Sequence, residues 1–227
     1  MRTELALRVA SAAVLIPLAI GVAYVGGWAF ALFWTAAALV VLVEWTMLVG
    51  VGRSDKPIWL VFGLFYSAAI AVPPIVLRAD EQLGFVAIMF VFAIVWATDI
   101  VAYFVGRAVG GPKLIRRVSP KKTWAGALAG AVAAMFAAAL VVKATALSPT
   151  FIVMILALLL SVCAQGGDLF ESWIKRRFDV KDSGRLIPGH GGLMDRLDGF
   201  MAAALVAAFI GVLRGGMHSP GRGLLIW

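Results

Sequence analysis

The chain has 227 residues, of which 63% are hydrophobic and only 14% charged. A soluble domain is about half apolar and about a quarter charged, so this composition excludes a water-soluble globule and points to a polytopic membrane protein. The formal net charge of +8 then reflects basic loops facing anionic lipid or an anionic substrate, and no nucleic-acid partner is expected.

A membrane-spanning helix needs about 20 mostly apolar residues. Seven stretches qualify in chain order: 7–25, 29–49, 57–77, 83–105, 124–146, 150–174 and 193–213. Arg2 and Arg8 ahead of the first resemble the basic start of a signal peptide, but the spans that follow make it a retained signal-anchor. Gly26-Gly27, Arg53–Pro57, Arg78–Gln82 and Ser148-Pro149 form short joints, whereas 107–123 and 175–192 are longer and polar. The expected fold is all-α: a polytopic helical bundle of about seven spans, forming one integral membrane domain over 1–227. Residues 1–82 serve as scaffold, and the polar clusters fall in 83–213. The one cysteine, Cys163, lies in an apolar run and reads as a small packing residue.

Orientation follows from the basic residues. With the N-terminus in the cytoplasm, 15 of the 20 lysines and arginines fall on the cytoplasmic side and 4 on the other, with Arg196 at a helix start. This satisfies the positive-inside rule and makes both long polar loops cytoplasmic. Trp28, Trp45, Trp59, Trp124 and Trp173 fall near span ends, as interfacial aromatics do.

Six acids lie within or at the mouths of these spans: Glu44, Asp99, Asp168, Glu171, Asp195 and Asp198. Charges beside hydrocarbon are costly, so each is a candidate functional group. Asp99 stands eight residues before Arg107, roughly 12 Å deep at 1.5 Å per residue. Asp168 lies at a similar depth, and Asp195 and Asp198 begin the last span from the same side. Asp168, Glu171, Ser172 and Lys175 are spaced to share one helical face, as are Asp99, Tyr103 and Gly106. Anions converging at one depth repel unless a cation joins them. Oxygen-only ligands suit Mg²⁺, and a chain with one cysteine and two histidines cannot supply the usual zinc sets. Glu44 has no chemical residues around it in sequence and is expected to pair with a lysine or arginine and hold helices together.

The glycine-rich turn Pro188-Gly189-His190-Gly191-Gly192 precedes the last span. Glycines let backbone N–H groups approach an anion, and a helix N-terminus adds a favourable dipole. The other loop carries Ser119-Pro120-Lys121-Lys122-Thr123-Trp124-Ala125-Gly126, whose hydroxyls and paired lysines at a helix start also suit phosphate oxygens.

These residues carry a resemblance over roughly 96–200. Asp99 with Ala102-Tyr103 and Gly106-Arg107 comes first, followed by SPKKTWAG at 119–126 and Gly167-Asp168. Then come Ser172, Lys175-Arg176, Lys181-Asp182, Ser183, His190-Gly191-Gly192, Asp195-Arg196 and Asp198. The set resembles the signature of the phosphatidate cytidylyltransferase (CDP-diacylglycerol synthase) family. Many members carry an acid where Ala125 stands, and the chain is shorter than is usual for the family, the difference falling in its N-terminal half.

The resemblance implies transfer of a cytidylyl group from CTP to phosphatidic acid, with Mg²⁺ as cofactor, a second cation and a homodimer being left open. Asp195 and Asp168 are the preferred metal ligands, with Asp99 and Asp198 in reserve. Lys175, Arg176 and Lys181 are expected to bind phosphates, and Ser172 to hydrogen-bond to one. His190, Gly191 and Gly192 are expected to cradle the triphosphate, with Lys121 and Lys122 holding the lipid phosphate or departing pyrophosphate. Ser119, Thr123, Tyr103, Asp182 and Arg196 complete the substrate-binding set. The expected location is a bacterial inner membrane, with the site facing the cytoplasm. Other readings are a transferase using CTP with a polyprenol, phytol or ether-lipid acceptor, an ion or proton carrier, and a catalytically inactive family member.

Overall fold

The computed structural model describes residues 2–50, 55–148, 150–180, 182–184 and 191–227, with side chains from Ala13 onward. Every expected span is helical. In chain order these are α1 (Arg2–Val25), α2 (Gly27–Val49), α3 (Lys56–Arg78), α4 (Gly84–Val109), α5 (Trp124–Ala144), α6 (Phe151–Arg177) and α7 (Met194–Gly215). Helices α2 to α7 are each long and apolar enough to cross a membrane, and the described side chains of α1, Ala13–Val25, form a shorter apolar stretch.

Two elements depart from the expected pattern. The 107–123 segment is not a plain joint: strands β1 (Lys113–Ile115) and β2 (Ser119–Thr123) pair antiparallel, Lys113 opposite Thr123 and Ile115 opposite Ser119. Lys121 and Lys122 therefore lie on a strand, and α5 begins only at Trp124, with the Thr123 hydroxyl accepting from the Gly126 N–H at 3.2 Å. The strand is short and strongly polar, a pattern that sequence reading assigns to a loop. After α7, a short helix α8 (Pro220–Leu225) folds back onto the bundle. Its Arg222 N–H donates to the Asp80 carboxylate, which also accepts from Gln82 and Leu83 ahead of α4. Arg78 donates to the Ala23 and Tyr24 carbonyls and so closes the end of α1.

In lipid there is little hydrophobic force between helices, so close packing and interhelical hydrogen bonds hold the bundle. Gly126 and Gly130 let α5 lie directly on α4: a Cβ at Gly130 would fall 2.7 Å from the Thr98 carbonyl, and one at Gly126 would fall 2.6 Å from that of Ala102. Thr98 and Ser161, both fully buried, share a 2.7 Å hydrogen bond between α4 and α6. At the centre Phe200 of α7 stacks on Trp34 of α2 and meets Phe92 of α4. Trp45 is not interfacial as expected; it is buried in this core and donates to the Trp59 carbonyl at 2.7 Å. Trp28 and Trp124 are exposed.

The short joints at Gly26, 79–83 and 145–148 fall at one end of the bundle, and the hairpin, 178–180 and 191–193 at the other. Glu44, Asp99, Asp168, Glu171, Asp195 and Asp198 all lie toward that second end. Gly130→Val places methyl groups against the Thr98 carbonyl and should destabilise the protein by about 1–3 kcal/mol, read as a lower unfolding temperature in detergent. An unchanged temperature would contradict the α4–α5 packing.

Candidate active site

The acids form two networks, which adjoin where the charge of Asp198 reaches Glu171. In the first, Lys175 in the last turns of α6 places its ammonium 2.6 Å from Glu171 Oε2 and 2.6 Å from Asp195 Oδ1. Asp195 Oδ2 accepts from the Ser183 N–H (3.1 Å), the Ser183 hydroxyl (3.0 Å) and the Gly192 N–H (2.9 Å). A carboxylate offers about four lone-pair sites, so Asp195 is saturated by protein donors. The Lys175, Glu171 and Asp195 side chains are 14%, 1% and 8% exposed, so the cluster is closed.

Its geometry depends on two glycines. Gly191 sits at φ 85°, in the left-handed region, where a Cβ would come within 2.9 Å of Asp195 Oδ2. At Gly192 a Cβ would meet the Ser183 hydroxyl and the Glu44 carboxylate. The expected pairing of Glu44 with lysine or arginine is corrected here. Glu44 Oε1 and Oε2 accept from the Leu193 and Met194 N–H groups, each at 2.8 Å. The N-terminal amides of α7, expected to face a substrate anion, are thus taken by the protein's own carboxylates. Leu193 has no side-chain oxygen with which to cap the helix itself.

The second network is open. Asp99 of α4, Asp168 of α6 and Asp198 of α7 interact electrostatically with one another and with Lys122. Lys122 pairs with Asp168 Oδ2, and the two side chains are 28% and 34% exposed. The hairpin sets this contact, since the Trp124 N–H donates to the Pro112 carbonyl at 3.0 Å and fixes where β2 delivers Lys122. Asp198 Oδ1 accepts from the Gly199 N–H at 2.7 Å. Asp99 is exposed and has no hydrogen bond or ion pair among the described residues. Three carboxylates thus face the Lys122 ammonium and the charge of Arg196, and the remaining deficit is the kind a divalent cation relieves. The donors are all oxygen, as Mg²⁺ prefers, although among the described residues no three acids, histidines or cysteines are yet close enough to grip a metal. Asp195 stands outside this set and would have to release a donor to touch a metal.

The remaining expected residues are spread around these networks. Tyr103 is exposed, its hydroxyl accepting from Arg107 at 3.2 Å. Lys121 and Asp182 are exposed, and Ser119 and Ser172 are half-buried. Arg176 is exposed and reaches the Val180 carbonyl at 3.5 Å, and Arg196 is exposed near enough to Asp99 to feel its charge. Lys181, His190, Pro188 and Gly189 lie outside the described residues. Sequence reasoning missed Glu44 as a cap and gave Glu171 and Ser183 no role. An acid six residues inside an apolar helix was the available signal for Glu44.

A membrane-embedded helical bundle that gathers carboxylates and lysines at one end is suited to handling a polyanion at a bilayer boundary. The family model described as the cytidylyltransferase family matches residues 58–213, and the chain belongs to that family. A phosphatidate cytidylyltransferase of Rickettsia bellii is 34% identical over 219 residues, covering 92% of this chain and 91% of the relative. One from Brucella abortus (strain 2308) is 54% identical over 155 residues, covering 68% of this chain. That match spans only 57% of the Brucella protein's length. One from Bacillus subtilis (strain 168) is 42% identical over 126 residues, 55% of this chain and 47% of the relative.

Lys175→Met leaves Glu171 and Asp195 as buried carboxylates without their cation and should cost about 3–5 kcal/mol. Adding Glu171→Gln, which removes one of the two stranded charges, should recover part of the lost unfolding temperature in detergent. Wild-type stability in Lys175→Met would show that the ion pairs do not form.

Proposed function

We propose that this protein transfers the cytidylyl group of CTP to phosphatidic acid, giving CDP-diacylglycerol and pyrophosphate. The observation that supports this most is the open network, in which three carboxylates, Asp99, Asp168 and Asp198, meet the charges of Lys122 and Arg196. The names of the relatives support the choice of substrates. The basic bias of the polar loops supports an inner-membrane site facing the cytoplasm.

A phosphate oxygen of phosphatidic acid attacks the α-phosphorus of CTP. The bond from that phosphorus to the bridging α–β oxygen breaks, and pyrophosphate leaves with the electron pair. The nucleophile is already an anion, so no strong general base is needed, and positioning and charge neutralisation dominate. Asp168, Asp198 and Asp99 would hold Mg²⁺, which would supply neutralising charge for the phosphates. Lys121, exposed and without an ion-pair partner among the described residues, is free to bind a phosphate from the hairpin. Lys122 becomes available to phosphate oxygens when Asp168 has another cationic partner. Lys175 keeps Asp195 charged and fixed at the start of α7, and Ser183 holds the adjoining loop to it. Both substrates are polyanions, one dissolved and one anchored in the bilayer, so a site at the mouth of the bundle can meet both.

Purified protein given labelled CTP, phosphatidic acid and Mg²⁺ should form CDP-diacylglycerol, and a chelator should stop it. Asp168→Asn should lower turnover by about a hundredfold or more while the protein stays folded in detergent. Turnover near the wild-type rate in that variant would remove Asp168 from the site, and no product from the wild type would refute the reaction.

A further inference from the structure

Between Ile100 and Gly167 the chain carries seven lysines and arginines and no acid. Six of the seven fall from Arg107 to Lys122, in or beside the hairpin. The hairpin gives these charges a fixed shape. Its strands join through the turn Ile115-Arg116-Arg117-Val118, closed by the Val118 N–H donating to the Ile115 carbonyl at 3.2 Å. Turns favour proline, glycine, asparagine or aspartate at their centre for reasons of backbone geometry. Paired arginines there answer no such need.

Lys113, Arg116 and Arg117 are exposed, and their side chains have no hydrogen bond or ion pair among the described residues. Ile115, set between them, is 44% exposed. Lys122, by contrast, is paired with Asp168. The outer end of the hairpin is therefore a cationic surface with an apolar side chain in its midst.

The Trp124 N–H donates to the Pro112 carbonyl at 3.0 Å and ties the base of the hairpin to the first residue of α5. Trp124 is exposed there, the place that an interfacial tryptophan takes. Arg116 lies four residues beyond Pro112, so its backbone stands at most roughly 13 Å from that level at 3.3 Å per residue. The headgroup layer of one leaflet is about 6 Å thick, and the Debye length at physiological salt is about 8 Å. Even an upright hairpin thus keeps its cations within the field of a charged bilayer.

We propose that the outer end of the hairpin, Lys113, Ile115, Arg116 and Arg117, docks on the bilayer that holds the bundle, its cations on the phosphates of anionic phospholipids and Ile115 among the headgroups. The cations lie on an exposed strand and turn and flank an apolar side chain. That suits a wide anionic face with apolar material beneath it better than a single dissolved ion. Lys122 is on the other strand of the same hairpin, so the docked position also fixes where its ammonium meets Asp168. Charges that serve only to orient helices during insertion would make no lasting contact afterwards.

Hydrogen–deuterium exchange of the whole protein in lipid nanodiscs separates these two roles, and it needs no turnover, so it stands apart from the cytidylyl-transfer reading. With phosphatidylglycerol added to phosphatidylcholine discs, the amides of 113–123 should exchange about fivefold more slowly than in neutral discs. This protection should vanish in the double variant Arg116→Ala/Arg117→Ala. It should vanish also in about 1 M salt, where the Debye length falls to about 3 Å. If the double variant fails to fold, the salt series on the wild type decides the matter. Equal exchange in the two kinds of disc, or protection that survives either the substitutions or the salt, would overturn the proposal. Neutral discs given soluble glycerol phosphate should show no protection; protection there would put a dissolved phosphate on the hairpin in place of the bilayer and overturn it too.

Discussion

A carboxylate held against hydrocarbon must find a cation or a set of N–H donors, and this single requirement organises the polar end of the bundle. Three of these acids show three different solutions. Asp195 takes an ammonium and three hydrogen bonds from Ser183 and Gly192. Glu44 takes two backbone amides that would otherwise be left open at the start of α7. Asp168 takes Lys122, delivered from a hairpin outside the bundle. In the set formed by Asp99, Asp168 and Asp198, three carboxylates meet the charges of Lys122 and Arg196, and Asp99 has no hydrogen bond or ion pair among the described residues.

The contrast between the two networks gives α6 a double task. Asp168, Glu171 and Lys175 lie on one face of it, yet Asp168 turns to the hairpin while Glu171 and Lys175 turn to α7. The closed network fixes the relation of α6 to α7 and to the loop between them. The open one lies where α4, α6 and α7 converge, beneath β2. Close helix approach makes this convergence possible. Gly167 has no side chain to hold α6 away from the Asp198 carbonyl, and a Cβ at Gly199 would fall 3.2 Å from that of Ala164. Packing of small residues deep in the bundle thus sets the spacing of the acids at its mouth.

Much of this was legible in the sequence, for physical reasons. Long apolar runs define helices in a bilayer whatever the tertiary context, and every expected span is a helix. The spacing of Asp168, Glu171 and Lys175 correctly put them on one face. What escaped were relations between distant segments. Nothing local to Glu44 announces that its partners are Leu193 and Met194, because backbone amides leave no mark in a sequence. The glycines before α7 read as an anion cradle, but the Gly192 N–H meets the protein's own Asp195, and the next two amides, of Leu193 and Met194, meet Glu44. The hairpin escaped because SPKKT has too few apolar residues to alternate. The grouping of Asp195 with Asp99 and Asp168 was drawn from depth alone, and depth does not show which way a side chain turns.

The central claim is that the acids at the mouth divide into a set already neutralised by protein donors and a set that awaits a divalent cation. Mn²⁺, which accepts the same oxygen donors as Mg²⁺, makes this directly measurable by electron paramagnetic resonance on the detergent-purified protein. The account predicts saturable Mn²⁺ binding that is lost when Asp168 and Asp198 are both changed to asparagine and kept when Glu171 is changed to glutamine. Binding that survives the first change, or disappears with the second, would contradict it.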